Sequence, residues 1–408
     1  MTAVKKDLDR YFFHEWVNRA PGAVRSLSRA FVVAEKLGLT TKVPQIIEVV
    51  GSKGKGTTAT YVSAVLSASG LKVVTVTSPA FIQNNERIRL NGTQVSDEVL
   101  NSLGEKIREA ADAVPREGTG YLSPTGAFTL AGVLFAIEVG ADVLVLEEGL
   151  GGKSDEISLF EPDFVAVTRI FLEHQGILGN TIDEICEDLL GVVRPRTRCV
   201  ATIAQSPEVA AIIDETSCEV IVVDSAKFAW LGQVEWPAGL SKANAALGIQ
   251  TGLELLKSRG LVANPEKIRR SLNSLILPGR LSFHKTFSGA EWIVDAAIDA
   301  DGIKAALEHC GQVNFVPTIV LASFPDDKHV DSCYEALRGL KILPIAADSS
   351  HLSYKSERHP RQPVKLVEAL RDYDRQGQKV LAVGTISFVG EVLHHVGADL
   401  GRLFATNG

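Results

Sequence analysis

The sequence is short of cysteine, of basic excess and of long apolar runs. Its five cysteines (Cys186, Cys199, Cys218, Cys310 and Cys333) are scattered, and no two stand in a Cys-x-x-Cys pair. That argues against a zinc site and predicts reduced, buried thiols in a cytosolic protein. The net charge is −7, which argues against nucleic acid as a partner. No apolar run approaches the ~20 residues that a membrane span needs, so no membrane partner is expected. Met1 to Arg10 is charged and lacks the apolar core of a signal peptide, so a cytoplasmic location is expected. Internal repeats and low-complexity segments are absent too.

What is present is a globular composition, 45% hydrophobic and 22% charged, over 408 residues. That length exceeds one ordinary core and predicts two domains or three.

The most informative stretch is Ile46-Ile-Glu-Val-Val50 followed by Gly51-Ser-Lys-Gly54-Lys55-Gly56-Thr57-Thr58. An apolar run ends in three alternating glycines, one lysine and two hydroxyls. A helical pattern through Tyr61, Val62, Val65 and Leu66 follows at once. This is the strand–loop–helix setting of a phosphate loop. Glycines let backbone N–H groups approach phosphate oxygens, and the helix start adds unpaired donors. Lys55 can reach terminal phosphates, and Thr57 can hold a bridging magnesium ion. The spacing is not the usual one. Only Ser52 and Lys53 separate Gly51 from Gly54-Lys55, and Gly56 precedes the threonines.

Leu8–Trp16 and Val24–Leu37 read as lead-in helices, the second stopped by Gly38. Leu71–Thr77 reads as a buried parallel strand ending at Ser78-Pro79. Residues at the carboxyl ends of such strands line the ligand crevice, so Ser78 is placed to hold a metal or a phosphate. Phe81–Gly92, with Asn84-Asn-Glu-Arg87, reads as a long polar loop with a function. Ser96–Ala113 and Pro124–Val139 read as helices. Asp142–Leu146 is an apolar strand that delivers Glu147 and Glu148. Strand alternation lets only one of these acids point into the crevice, where magnesium needs a carboxylate. Asp163–Ile170 is another strand, and His174 follows its end on the same edge. Thr181–Leu190 opens on a capping box. Ser241–Ser258 is a helix carrying Asn244, and Pro278-Gly279-Arg280 is a turn with an exposed arginine. From Trp292 onward strands and helices alternate, which predicts a parallel doubly wound sheet. The domain boundary is expected at 282/283.

With these segments in place, the chain resembles the folylpolyglutamate synthase/dihydrofolate synthase branch of the Mur ligase superfamily. The family's Gly-Thr-Asn-Gly-Lys-Gly-Ser stands here as Gly51–Thr57. Its Thr-Ser-Pro-His-Leu appears as Thr77–Phe81, and its Asn-Glu-Arg-Ile-Arg-Ile-Asn-Gly as Asn85–Gly92. Glu-Val-Gly-Leu-Gly-Gly-Arg becomes Glu147–Lys153, and Leu-Asp-His becomes Leu172–His174. Pro-Gly-Arg survives at Pro278–Arg280, and a late Thr-Gly-Ser-Leu-Tyr-Leu-Val-Gly-Glu-Val resembles Val383–Val392.

The resemblance implies an α/β fold: residues 1–282 as a P-loop ATPase-like central domain and 283–408 as a Rossmann-like, doubly wound domain. It implies an ATP- and Mg²⁺-dependent ligase that makes an acyl phosphate from a carboxylate. An amino acid amine, glutamate in the family, then attacks to form an amide. Lys55, Glu147 and His174 would be catalytic. Gly51, Gly54, Lys55, Gly56, Thr57, Thr58, Asn244, Arg280 and Asp295 would hold the nucleotide. Thr57, Ser78, Glu147 and His174 would hold the metal. The departures are specific. The family's carbamylated lysine in Glu-Lys-Ala-Gly is Leu189, and Asp-Gly-Ala-His-Asn-Pro is Asp295–Ala300, with Ile298 in place of the histidine. Leucine cannot bind metal. The alternatives are therefore a relative acting on a non-folate acid, or a non-catalytic ATP-binding partner subunit working with another protein.

Overall fold

The computed structural model describes residues 10–41, 43–116, 118–349 and 352–406. Its first sheet has eight strands: β2 (Gln45–Val50), β3 (Val73–Val76), β4 (Ile88–Leu90), β5 (Thr93–Gln94), β7 (Val143–Glu147), β8 (Phe164–Val167), β9 (Cys199–Thr202) and β10 (Glu219–Val222). They run in the order β10-β9-β8-β2-β7-β3-β4-β5, and every pairing is parallel except β3–β4 and β4–β5. A separate parallel pair joins β1 (Val24–Arg25) to β6 (Gly120–Tyr121).

The parallel strands read as unbroken apolar runs because both faces are covered. On β2, Ile46 and Val50 enter one hydrophobic cluster while Ile47 and Val49 enter the other. The second cluster contains the Lys55–Ala68 helix, almost wholly buried between the sheet and the Ser241–Ser258 helix. The two helices approach closely at Gly248, where a Cβ would fall 2.5 Å from the Thr58 carbonyl oxygen. Only glycine lets the backbones meet there.

The second sheet has five strands: β11 (Ser282–Lys285), β12 (Glu291–Asp295), β13 (Ile319–Ser323), β14 (Ile342–Pro344) and β15 (Lys379–Gly384), in the order β11-β12-β15-β13-β14. All pairs are parallel but β11–β12. The chain then crosses back. Leu403 N–H donates to the Gly92 carbonyl, Ile276 N–H donates to the Leu403 carbonyl, and Phe404 is buried in a cluster of the first sheet.

The structure corrects several expectations. Val24–Leu37 is not one helix: Val24–Arg25 pairs with β6, and the helix spans Leu27–Lys36 with Ser26 as its cap. Of Leu8–Trp16, Leu8 and Asp9 lie outside the described residues, and the described helix is His14–Val17. Phe81–Gly92 is not a plain loop. Asn84–Arg87 is a single 3₁₀ turn, and β4 and β5 form a hairpin across Asn91 (φ 47°) and Gly92 (φ 79°). An Asn-Gly pair is the turn that a two-residue hairpin demands. β8 ends at Val167, three residues before the expected Ile170. Among the described residues, no helix is long and apolar enough to cross a membrane.

Candidate active site

β2 ends at Val50, and the chain turns through Gly51 (φ 123°) and Gly54 (φ 94°) into the helix that starts at Lys55. Both glycines are required twice over. Each has a left-handed φ, and a Cβ would fall 2.3 Å from Thr168 Oγ1 at Gly51 and 2.1 Å from Asn244 Nδ2 at Gly54. Thr58 N–H makes the first i→i−4 bond, to the Gly54 carbonyl at 3.0 Å. The N–H groups of Lys55, Gly56 and Thr57 are therefore the orphan donors of the helix start. They form an anion cradle.

Around the cradle the structure gathers charge. Lys55 Nζ donates to the Gly51 carbonyl at 2.5 Å and lies 3.0 Å from Glu148 Oε1. Glu147 Oε2 accepts from Ser78 N–H at 2.9 Å. A Cβ on Gly56 would lie 3.4 Å from Glu147 Oε1, so this carboxylate faces the helix start. Glu148 thus pairs with Lys55 while Glu147 faces the helix start, so both acids lie at the cradle, against the expectation that alternation admits only one. β7 ends at Glu147, so Glu148 lies beyond the strand, where alternation no longer applies. Burial pushes Glu147 up to about 7 and Glu148 up to about 8, with Lys55 pulling each back.

Ser78 Oγ accepts from Arg87 Nη1 at 3.0 Å, and Arg87 also donates to Asn84. Glu86 accepts the N–H groups of Phe81, Ile82 and Gln83, which fixes the chain beside Ser78. The Asn-Glu-Arg motif therefore organises the crevice around Ser78. Arg87 is visible in the sequence, but nothing in the spacing assigns it this place.

His174 is not at a strand end. It lies seven residues past β8 with a left-handed φ of 50°. The segment before it runs along the phosphate loop: Ser52 N–H donates to the Arg169 carbonyl, and Phe171 N–H to Ser52 Oγ. His174 is half exposed. Burial lowers its pKa, Glu173 opposes that, and Lys328, Lys55 and Lys53 add to it. The ring is therefore held towards its neutral form.

Asn244 stands over Gly54. Its Nδ2 donates to the Leu240 carbonyl, and its buried Oδ1 has no partner. An orphaned buried acceptor beside an anion cradle suits a ligand donor. Thr58 differs from the expectation for it. Its hydroxyl donates to the Asn244 carbonyl at 3.1 Å and its N–H to Gly54, so both groups hold the helix pair together and neither faces the cradle.

Arg280 and Asp295 are neighbours where the chain enters the second sheet, joined through the backbone of Leu281 rather than by a direct ion pair. Arg280 lies 5.8 Å from the Phe81 ring centroid. Asp295 Oδ2 accepts from Leu281 N–H at 2.8 Å, and burial pushes Asp295 up to about 6 against the pull of Arg280. Leu189 is 1% exposed and sits in the first hydrophobic cluster. The lysine position of the resembling family is here part of the core.

The donors fit a metal carried in on phosphates better than a free-standing one. Thr57, Ser78 and Glu147 offer hard oxygens with one carboxylate, as magnesium takes when substrate phosphates complete its shell. No group of three or more His, Cys, Asp or Glu residues that could hold a metal occurs among the described residues.

No family model matches the chain. The dihydrofolate synthase/folylpolyglutamate synthase of Bacillus subtilis (strain 168) is 25% identical over an alignment of 412 positions, 91% of this chain and 95% of that protein. The folylpolyglutamate synthase of Lacticaseibacillus casei is 27% identical over 78% of this chain and 80% of that protein. Among solved structures, a folylpolyglutamate synthase–AMPPCP complex superposes with a TM-score of 0.80 at 20% identity, over 97% of this chain and 100% of that one. The folylpolyglutamate synthase/dihydrofolate synthase of Yersinia pestis, with AMPPNP and manganese, gives 0.76 at 22% identity, over 96% and 98%. Along nearly its whole length the chain is thus similar to the folylpolyglutamate synthase/dihydrofolate synthase branch of the Mur ligase superfamily, and it shares the fold of the solved synthases.

Proposed function

We propose that the protein is an ATP-dependent ligase that joins a folate-type carboxylate to an amino acid amine, glutamate by likeness to its relatives. The observation that carries this is the cradle itself. Lys55 and three orphan N–H groups face a crevice in which Glu147 is fixed by the Ser78 N–H.

A carboxylate is a poor electrophile, and phosphorylation gives it a leaving group. The chain's residues would serve that chemistry as follows. The N–H groups of residues 55–57 and the Lys55 ammonium hold the phosphate charge that builds up during transfer. Thr57, Ser78 and Glu147 would hold magnesium, which offsets phosphate charge when bound. His174, its ring biased towards the neutral form, would offer a ring nitrogen to the phosphates or the metal. Asn244 Oδ1 accepts a donor of the nucleotide, and Arg280 meets it from the crossing between the sheets. Thr58 supports the helix pair. Leu189 in the core supports a reading in which the second metal of the resembling family is not held as it is there.

We divide the chain at 282/283, so that all of β11 but its first residue lies in the second domain, and place the protein in the cytoplasm. The relatives named above are all synthases, which favours the ligase over a non-catalytic partner subunit.

The test is turnover by the purified chain. With ATP, Mg²⁺, glutamate and either dihydropteroate or folate, ADP should appear together with a product heavier by one glutamyl residue. If no pairing of acid and amine releases ADP, the ligase reading is wrong.

A further inference from the structure

The buried Glu148 has no place in the roles set out so far. It is 3% exposed, and one of its oxygens lies 3.0 Å from Lys55 Nζ while the other has no partner. The same ammonium donates to the Gly51 carbonyl at 2.5 Å. Lys55 is itself mostly buried, its side chain 16% exposed. An ammonium has three N–H donors. Two are directed at fixed acceptors, Gly51 on the loop and Glu148 just beyond β7, and one remains.

We propose that Glu148 is a positioning residue for the phosphate-loop lysine: with the Gly51 carbonyl it fixes two N–H bonds of Lys55 and aims the third at the phosphate site. This rests on the nucleotide-binding reading of the cradle. A free lysine side chain has four rotatable bonds, and ordering it on ligand binding costs conformational entropy. Glu148 removes that cost before the nucleotide arrives. The role needs only an oxygen acceptor at that place, which either protonation state of the carboxyl provides. The motif of the resembling family has valine here, so the device belongs to this chain and not to the motif.

In such a device Glu148 must act through Lys55. The experiment is a double-mutant cycle on AMPPCP–Mg²⁺ affinity, measured by calorimetry without turnover. Glu148→Leu in the natural background should weaken binding about tenfold, the loss of one charge-assisted hydrogen bond. In a Lys55→Met background the same change should alter affinity less than about twofold. Glu148→Gln keeps an amide oxygen and should stay within about threefold of the natural protein, a rescue that a fold-wide effect of the Glu148→Leu change would not produce. If turnover is measured, Glu148→Leu should raise KM for ATP and lower kcat, by less than the Lys55→Ala change does, with Glu148→Gln restoring both. Unchanged or tighter binding by Glu148→Leu, or an equal effect in both backgrounds, overturns the proposal while the nucleotide reading stands. If the natural protein does not bind AMPPCP–Mg²⁺ at all, both fall together.

Discussion

The Asn244 carboxamide lies so close above Gly54 that a Cβ on Gly54 would fall 2.1 Å from Nδ2 and 2.3 Å from Cγ. Two helices 186 residues apart in the chain are thereby brought to one point of the phosphate cradle, since Thr58 also donates to the Asn244 carbonyl. Gly54→Ala should abolish nucleotide binding, because the new methyl displaces Asn244 and strains a left-handed backbone. Gly70 has a similar φ of 88° but open space around it, so Gly70→Ala carries the strain alone. It should cost about 1 kcal/mol of stability and leave binding unchanged. Calorimetry on both variants separates the two causes.

Lys55→Ala should cut turnover at least a hundredfold, as loss of a preorganised charge at the transferring group does. Circular dichroism should still show a folded chain, because the helix start keeps its backbone donors. A variant with undiminished turnover would mean that the active centre lies elsewhere.

Glu48 sits mid-strand on β2, fully buried, with neither carboxylate oxygen partnered. Burial first, and Asp155 next, hold its pKa well above the usual carboxylate value. A folded pKa raised above the unfolded one means that folding favours the protonated form. Stability is then greatest below the unfolded pKa and is lost as pH rises towards the folded one. Glu48→Leu removes the unsatisfied carboxyl and should stabilise the protein by roughly 1–3 kcal/mol at alkaline pH, and less in acid. Thermal melts at about pH 4 and pH 9 check it, the first below the ordinary glutamate value of 4.5 and the second far above it, where the unfolded chain is ionised. A gain that shrinks with rising pH would contradict the sign.

Asp326 orders the loop that follows β14. Its carboxylate accepts from Ser353 Oγ, Lys355 N–H, Ser356 N–H and His359 Nε2. Desolvation works against the charge, but these bonds outweigh it, Ser353 foremost, and hold Asp326 down at about 2. A depressed carboxylate contributes stability that is present above the ordinary value near 3.8 and is lost as pH falls through about 2. Asp326→Asn should speed limited proteolysis at Lys355 and Arg358 at neutral pH. The difference from the natural protein should vanish near pH 2 in an acid-tolerant protease such as pepsin, read at its own sites in the loop.

Much of the phosphate loop was legible because its chemistry is local. A strand, three glycines, a lysine and a helix start are adjacent in sequence, and the glycines at 51 and 54 indeed carry the left-handed φ that only they adopt freely. The capping box at Thr181 and Glu184 was readable for the same reason. The Asn91-Gly92 hairpin is equally local, but the polar Asn84–Arg87 stretch before it makes the whole segment read as a loop. The position of His174 was less legible. Its approach to the cradle depends on hydrogen bonds between Ser52 and residues 169–171, far along the chain.

The amino-acid sequence by itself determined the fold class, the cradle and the loss of the lysine at 189. The first two follow from residue type and neighbour spacing, and the third from the motif of the resembling family. Only the tertiary structure decided that Glu148 pairs with Lys55 while Glu147 faces the helix start, that Thr58 turns inward to Asn244, and that Leu189 is core. Those facts depend on where strands end and which helices touch, and packing of the whole chain sets that through contacts between residues far apart in order.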